Sequence, residues 1–128
     1  MGRRRDRGCP CGLPAGYDRC CGRVLAGAAA PTAELLMRSR FTAYARQDEA
    51  HLLASWHGST RPSSVAFDPD LRWTRLEVLA TTGGGLLDTV GTVEFRATHV
   101  RRGEVGVLEE RSRFAREDGR WVYVAPVD

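Results

Sequence analysis

At 128 residues, with 42% hydrophobic and 27% charged residues, the chain has the size and composition of one soluble globular domain. A formal net charge of +3 is too small to announce nucleic-acid binding, and no run approaches the ~20 apolar residues of a membrane span. The short run VLAGAAAP, residues 24–31, is too brief for a secretory core, so the expected location is the cytoplasm. All 19 basic residues are arginine, so no single arginine stands out as chosen over lysine.

Every cysteine lies in RGCPCGLPAGYDRCCGR near the start. Cys9 and Cys11 flank Pro10, and Cys20 and Cys21 are adjacent. Four cysteines allow disulfides or a metal site. A bridge between the neighbours Cys20 and Cys21 strains the ring it closes, and two crossed bridges would clip a loop that anchors nothing else. Metal is the better fit: each close pair offers two sulfurs from one turn, and Gly12, Pro14 and Gly16 let the chain reverse between them. Four thiolates leave no open coordination position, so the metal expected here is structural. Around the cysteines lie Arg3, Arg4, Arg5, Arg7, Arg19 and Arg23, against only Asp6 and Asp18.

The segment CPCGLPAGYDRCCG, residues 9–22, resembles the SEC-C motif, named from the tail of the SecA translocation ATPase. The resemblance implies one zinc ion held by Cys9, Cys11, Cys20 and Cys21, with Tyr17 as the motif's aromatic. The stretch Leu13-Pro14-Ala15-Gly16 departs from the motif, which usually has Ser-Gly and basic residues there. On this reading residues 1–27 form a zinc knuckle with a basic tail, and residues 28–128 form the rest of the fold.

Thr32 is a suitable N-cap for a helix with Glu34 in its first turn. Met37, Phe41, Tyr44 and Ala45 fall on one stripe expected to be buried, with Leu36 beside it. Asp48 caps a second expected helix, EAHLLASW, with Leu52, Leu53 and Trp56 inward and His51 exposed. Pro62 and Pro69 then mark a loop. Strands are expected over about 71–81, 89–101, 104–116 and 120–125, turning at the glycines 83–85, at Arg102-Gly103 and at Asp118-Gly119. The expected fold is α+β, with helices packed on one face of a curved antiparallel meander.

Alternation places Val93, Phe95, Ala97 and His99 on one face of the second strand. Leu108, Glu110, Ser112 and Phe114 share the inner face of the third, with Glu109, Arg111 and Arg113 opposite. A pocket between helices and sheet is expected to gather Tyr44, His57, Arg61, Glu110 and Ser112, walled by Trp56 and Trp73. Within it Glu110 is a candidate base, although its simpler role is to satisfy a buried partner such as Ser112.

The phrases PTAELLMRSRFTAY, LLASWHGSTRP, VEFRA and LEERSRFAREDGRWVYV, in this order after the cysteine motif, resemble the YchJ family of bacterial proteins. That resemblance implies a SEC-C motif coupled to a cone similar to nuclear transport factor two, and no established reaction. The leading functional expectation is a zinc-binding interaction module, or adapter, that meets a protein partner through the knuckle. The alternative is a cone that binds or transforms a small molecule, with the zinc purely structural. Nucleic acid is a less favoured partner.

Overall fold

The computed structural model describes residues 8–127; the expected basic tail, with Arg3, Arg4, Arg5 and Arg7, lies outside them. In chain order a 3-10 turn at Tyr17–Arg19 leads into α1 (Cys21–Leu25), α2 (Ala33–Arg46) and α3 (Glu49–Ala54). Four strands follow: β1 (Leu71–Gly83), β2 (Val90–Arg101), β3 (Glu104–Glu117) and β4 (Arg120–Pro126). All neighbours are antiparallel in the order β1-β2-β3-β4, a meander.

Local chemistry sets the element ends. Thr32 Oγ1 accepts the Leu35 amide at 3.1 Å, and Asp48 Oδ1 accepts that of His51 at 3.0 Å, so both expected N-caps form. Gln47 closes α2 in the left-handed region at φ 58°. The β2–β3 and β3–β4 turns are Arg102-Gly103 and Asp118-Gly119, with positive φ at both residues of each, the geometry that matches the twist of the strands they join. In the β1–β2 connection Gly84, at φ 78°, accepts the Ala33 amide at 2.9 Å. A Cβ there would lie 2.8 Å from that of Ala33, so only glycine lets the loop touch the start of α2. Arg116 fastens the same loop, donating to the carbonyls of Asp88 and Leu86 at 2.8 Å each while stacking on Trp121.

The sheet curves around α2. Two register shifts in β1, between Trp73 and Arg75 and between Val78 and Ala80, bend the strand. Leu36, Met37 and Phe41 of α2 meet Leu76, Val93, Phe95, Ala97, Phe114 and Trp121 of the sheet in one core. The inner face follows the alternation read from sequence, except that Leu108, expected to be inward, stays exposed. The outer face carries a ladder of charge, with Arg96 bridging Glu77 and Glu109 across three strands.

Some burial expectations fail. Ala45 is exposed, although Tyr44 beside it still faces Trp73 of the sheet; Ala43 is buried in its place. The second helix ends at Ala54, so Leu53 and Trp56 are only half-buried. His51 is not an exposed helix residue: its Nε2 lies 2.9 Å from the buried Ser39 hydroxyl. Since that hydroxyl already donates to Leu36 O at 2.6 Å, His51 Nε2 is the donor and its Nδ1 carries no proton. Burial, with Arg40 nearby, lowers the His51 pKa to about 4.

Candidate metal centre and cone cavity

The backbone around the cysteines makes a tight knuckle. Gly12 N donates to Cys9 O at 3.0 Å and Cys9 N to Leu13 O at 3.2 Å, which turns Cys9 and Cys11 toward a common centre. The 3-10 turn and the start of α1 bring Cys20 and Cys21 to the same point. All four Sγ atoms lie within 4.8 Å of one another, and the Cys11 and Cys20 sulfurs are 3.6 Å apart with no disulfide. A tetrahedron with sulfur at about 2.3 Å from its centre has edges of about 3.8 Å, so the set fits one four-coordinate metal ion. Cys9, Cys11 and Cys21 are buried, and only Cys20 reaches partway to solvent.

Without a cation the four thiols cannot share this space as thiolates. Hydrogen bonding from the Cys21 thiol holds Cys11 down at about 5, whereas burial pushes Cys20 up to about 12. Cys21 is driven higher still, by its hydrogen bond with Cys11 and by burial. A divalent ion at the centre removes the conflict, because thiolate is the ligating form.

The knuckle is not a pendant. Its buried cysteines belong to the same core as Leu36, Met37 and Phe41. Arg38, paired with Glu34 at 3.0 Å, donates to Cys11 O at 2.8 Å, and Arg46 lies 4.2 Å over the Tyr17 ring. The motif aromatic is thus a stacking platform for α2.

On the other side of α2 is a cavity of about 270 Å³. Of the expected pocket residues, Tyr44, Glu110 and Ser112 line it, as do Trp56 and Trp73. His57 and Arg61 do not. Residues 55–57 run parallel to β4, with Tyr123 N donating to Ser55 O and His57 N to Tyr123 O at 2.8 Å each. Alternation along this edge turns Trp56 inward against Tyr123 and His57 outward. There His57 and Arg61 gather around Glu117, each 3.7 Å from it, with Gly58 N donating to the same carboxylate. An anion is already present, so the pair offers no anion site. His99 shares the inner face as expected, its ring held edge-on to Trp73 at 5.0 Å and in close contact with Gly106, where a side chain would have no room.

Inside the cavity Glu110 Oε2 accepts from Ser112 Oγ at 2.6 Å and, at a longer 3.4 Å, from the Tyr123 hydroxyl. The simpler expectation for Glu110, partner of a buried serine, holds. Burial and then Glu110 raise the Tyr123 pKa to about 12, so its phenol stays a donor.

Sequence reasoning missed Arg40. It is 5% exposed, its guanidinium 4.7 Å from the Trp56 ring centre and 4.6 Å from that of Tyr123. Nη1 donates to Leu52 O at 2.9 Å and Ser55 Oγ at 2.7 Å, tying α2 to the end of α3. Burial lowers its pKa to about 10, against the pull of Tyr44, Tyr123 and Glu110, and it stays charged at neutral pH. The signal was present: Arg40 sits three residues after Met37 and four before Tyr44, within the stripe that faces the sheet.

The profile of the YchJ middle, NTF2-like domain matches residues 32–126. A UPF0225 protein of Streptomyces avermitilis is 58% identical over 123 residues, covering 95% of this chain and 85% of the relative. A UPF0225 protein of Corynebacterium efficiens is 50% identical over 119 residues, covering 92% and 91%. A solution structure of a SEC-C motif containing protein from Rhodopseudomonas palustris superposes with a TM-score of 0.81 at 34% identity, covering 94% of this chain and 99% of that one. A crystal structure of a SEC-C motif containing protein from Psychrobacter arcticus shares the fold, with a TM-score of 0.76 at 22% identity over 96% and 83% of the two chains. With its clustered cysteines, its curved four-stranded sheet and these relatives, the chain belongs to the YchJ family of SEC-C motif proteins.

Proposed function

We propose that the protein is a small-molecule receptor: a cone that binds its ligand beneath α2, with a structural zinc ion holding the knuckle on the other side of that helix. The observation that carries this reading is the cavity of about 270 Å³ with the buried cation of Arg40 on its wall. A charge is costly to bury, and one with no carboxylate within ion-pair distance among the described residues, only the longer-range pull of Glu110 in the same cavity, marks a binding site more readily than a packing device. Zinc suits the knuckle because Cys9, Cys11, Cys20 and Cys21 form an all-sulfur, closed set. The ion orders the knuckle and takes no substrate, and Glu110 serves to bind and orient.

Native mass spectrometry of untagged protein purified without chelator tests both parts. The expected species carries one zinc per chain and a population with an additional small mass. Apo protein with two disulfides would overturn the zinc assignment. Zinc-loaded protein that never retains or takes up a small molecule would count against the receptor.

The adapter reading has its own support. A pocket of about 220 Å³ at the knuckle is lined by Leu13, Val24 and Leu35 together with the exposed Arg19 and Arg23. This suits an acidic peptide with an apolar residue. Replacing both arginines with Glu and repeating a pull-down tests it: an unchanged partner list removes this face as the docking surface.

A further inference from the structure

We infer that the cone cavity takes a small aromatic carboxylic acid bearing a hydrogen-bond donor, its carboxylate on Arg40 and its donor on Glu110. This inference rests on the receptor reading and names the class of ligand.

Three observations converge. Arg40 takes part in no ion pair among the described residues, although it is nearly fully buried. Both of its hydrogen bonds come from Nη1, and the side chain also lines the cavity. A guanidinium presents five N–H groups in a planar fork that matches a carboxylate. Trp56 and Tyr123, whose ring centres are 5.3 Å apart, meet the guanidinium from one side, at 4.7 and 4.6 Å, and leave its other side unstacked among the described residues.

Glu110 supplies the second pole. Ser112 and Tyr123 both bond to Oε2, so Oε1 has no protein donor among the described residues. Being acceptor-only when ionised, it repels a second anionic group and accepts an O–H or N–H. A phosphate, with up to two charges and only one cation to meet it, is disfavoured beside this carboxylate. An ammonium compound meets the opposite obstacle at Arg40.

Shape supplies the rest. Phe41, Trp73, Phe95 and Phe114 make the remaining walls largely flat and apolar, suited to a ring. A volume of about 270 Å³ holds about nine waters at liquid density, which fits a single substituted ring.

The test titrates zinc-loaded full-length protein with three isosteres, para-hydroxybenzoate, para-hydroxybenzamide and para-hydroxybenzylamine, followed by amide and arginine Nε–H shifts in NMR. The acid is expected to bind roughly tenfold or more tightly than the amide, as a charge-assisted hydrogen-bond pair implies, with the amine weakest. Arg40→Met should abolish the difference between acid and amide. Since that variant also loses its bonds to α3, Glu110→Gln provides a second check: benzoate should gain on para-hydroxybenzoate, because the charged acceptor of the hydroxyl is gone. If amide or amine binds as tightly as the acid, the carboxylate assignment fails while the receptor stands. If no probe shifts the cavity resonances, the receptor reading falls with it.

Discussion

The knuckle and the cone are stabilised by different means. The cone, matched over residues 32–126, buries whole side chains between α2 and a four-stranded antiparallel meander. The knuckle has a helix of five residues, a single 3-10 turn and little apolar area of its own, and in the proposed reading four thiolates around one ion do what packing does elsewhere. Yet three of those cysteines are counted in the cone's core, and Arg38 and Arg46 of α2 reach over to the knuckle. On the proposed reading, a small region depends on a metal for its shape and still bears on the stability of a larger neighbour.

The largest effect is expected from Cys11→Ser. It removes a fully buried ligand, and the protein should lose its metal together with roughly 5 kcal/mol or more of stability, read as metal content and as a urea transition. A cone that keeps its wild-type transition would break the link between the two regions. Phe114→Ala sharpens the contrast from the other side. Its 1% exposed ring lies in the inner face, and the loss should be about 3–5 kcal/mol with the metal retained at room temperature.

A smaller effect comes with pH. His51 has a folded pKa of about 4 against an ordinary 6.5, so the unfolded chain binds the proton first as pH falls. Its contribution is fully present above 6.5 and is lost as pH drops from 6.5 through about 4, amounting to about 2 kcal/mol once its partial exposure is allowed for. Unfolding free energies at stepped pH should show this slope in the wild type and a reduced one in His51→Gln. The smallest expected change is that of Arg38→Met at the seam: about 1 kcal/mol globally, with faster amide exchange concentrated at residues 9–22. Uniform acceleration through the sheet would show that the seam is not a local tie.

Much of the cone was legible in the sequence because its strands announce themselves. Asp118-Gly119 and Arg102-Gly103 mark the turns, and the alternation through Val93, Phe95 and Ala97 fixes the inner face, so the four strands fall within about two residues of expectation. The cysteine cluster was legible for a similar reason, since sulfurs so close in sequence have few places to go. The cavity was harder. Arg40 reads as a surface residue because charge argues against burial, and only the fold provides the two aromatic rings and the α3 carbonyl that make its burial tolerable. His57 and Arg61 were misplaced because nothing in LLASWHGSTRP shows that residues 55–57 join the sheet edge. Once they do, alternation sends Trp56 and His57 to opposite faces. His51 was misjudged because its partner, Ser39, lies on a neighbouring helix that local pattern cannot supply.

The most direct test of the claim that the knuckle is a metal-held part of the cone's core is a single urea titration with two readouts. Metal release is followed with a chromophoric chelator, and unfolding of the cone through the tryptophans Trp56, Trp73 and Trp121. Coincident transitions, both moved to lower urea when the metal is stripped beforehand, are the predicted result. Metal lost in a separate early step that leaves the tryptophan transition where it was would contradict it.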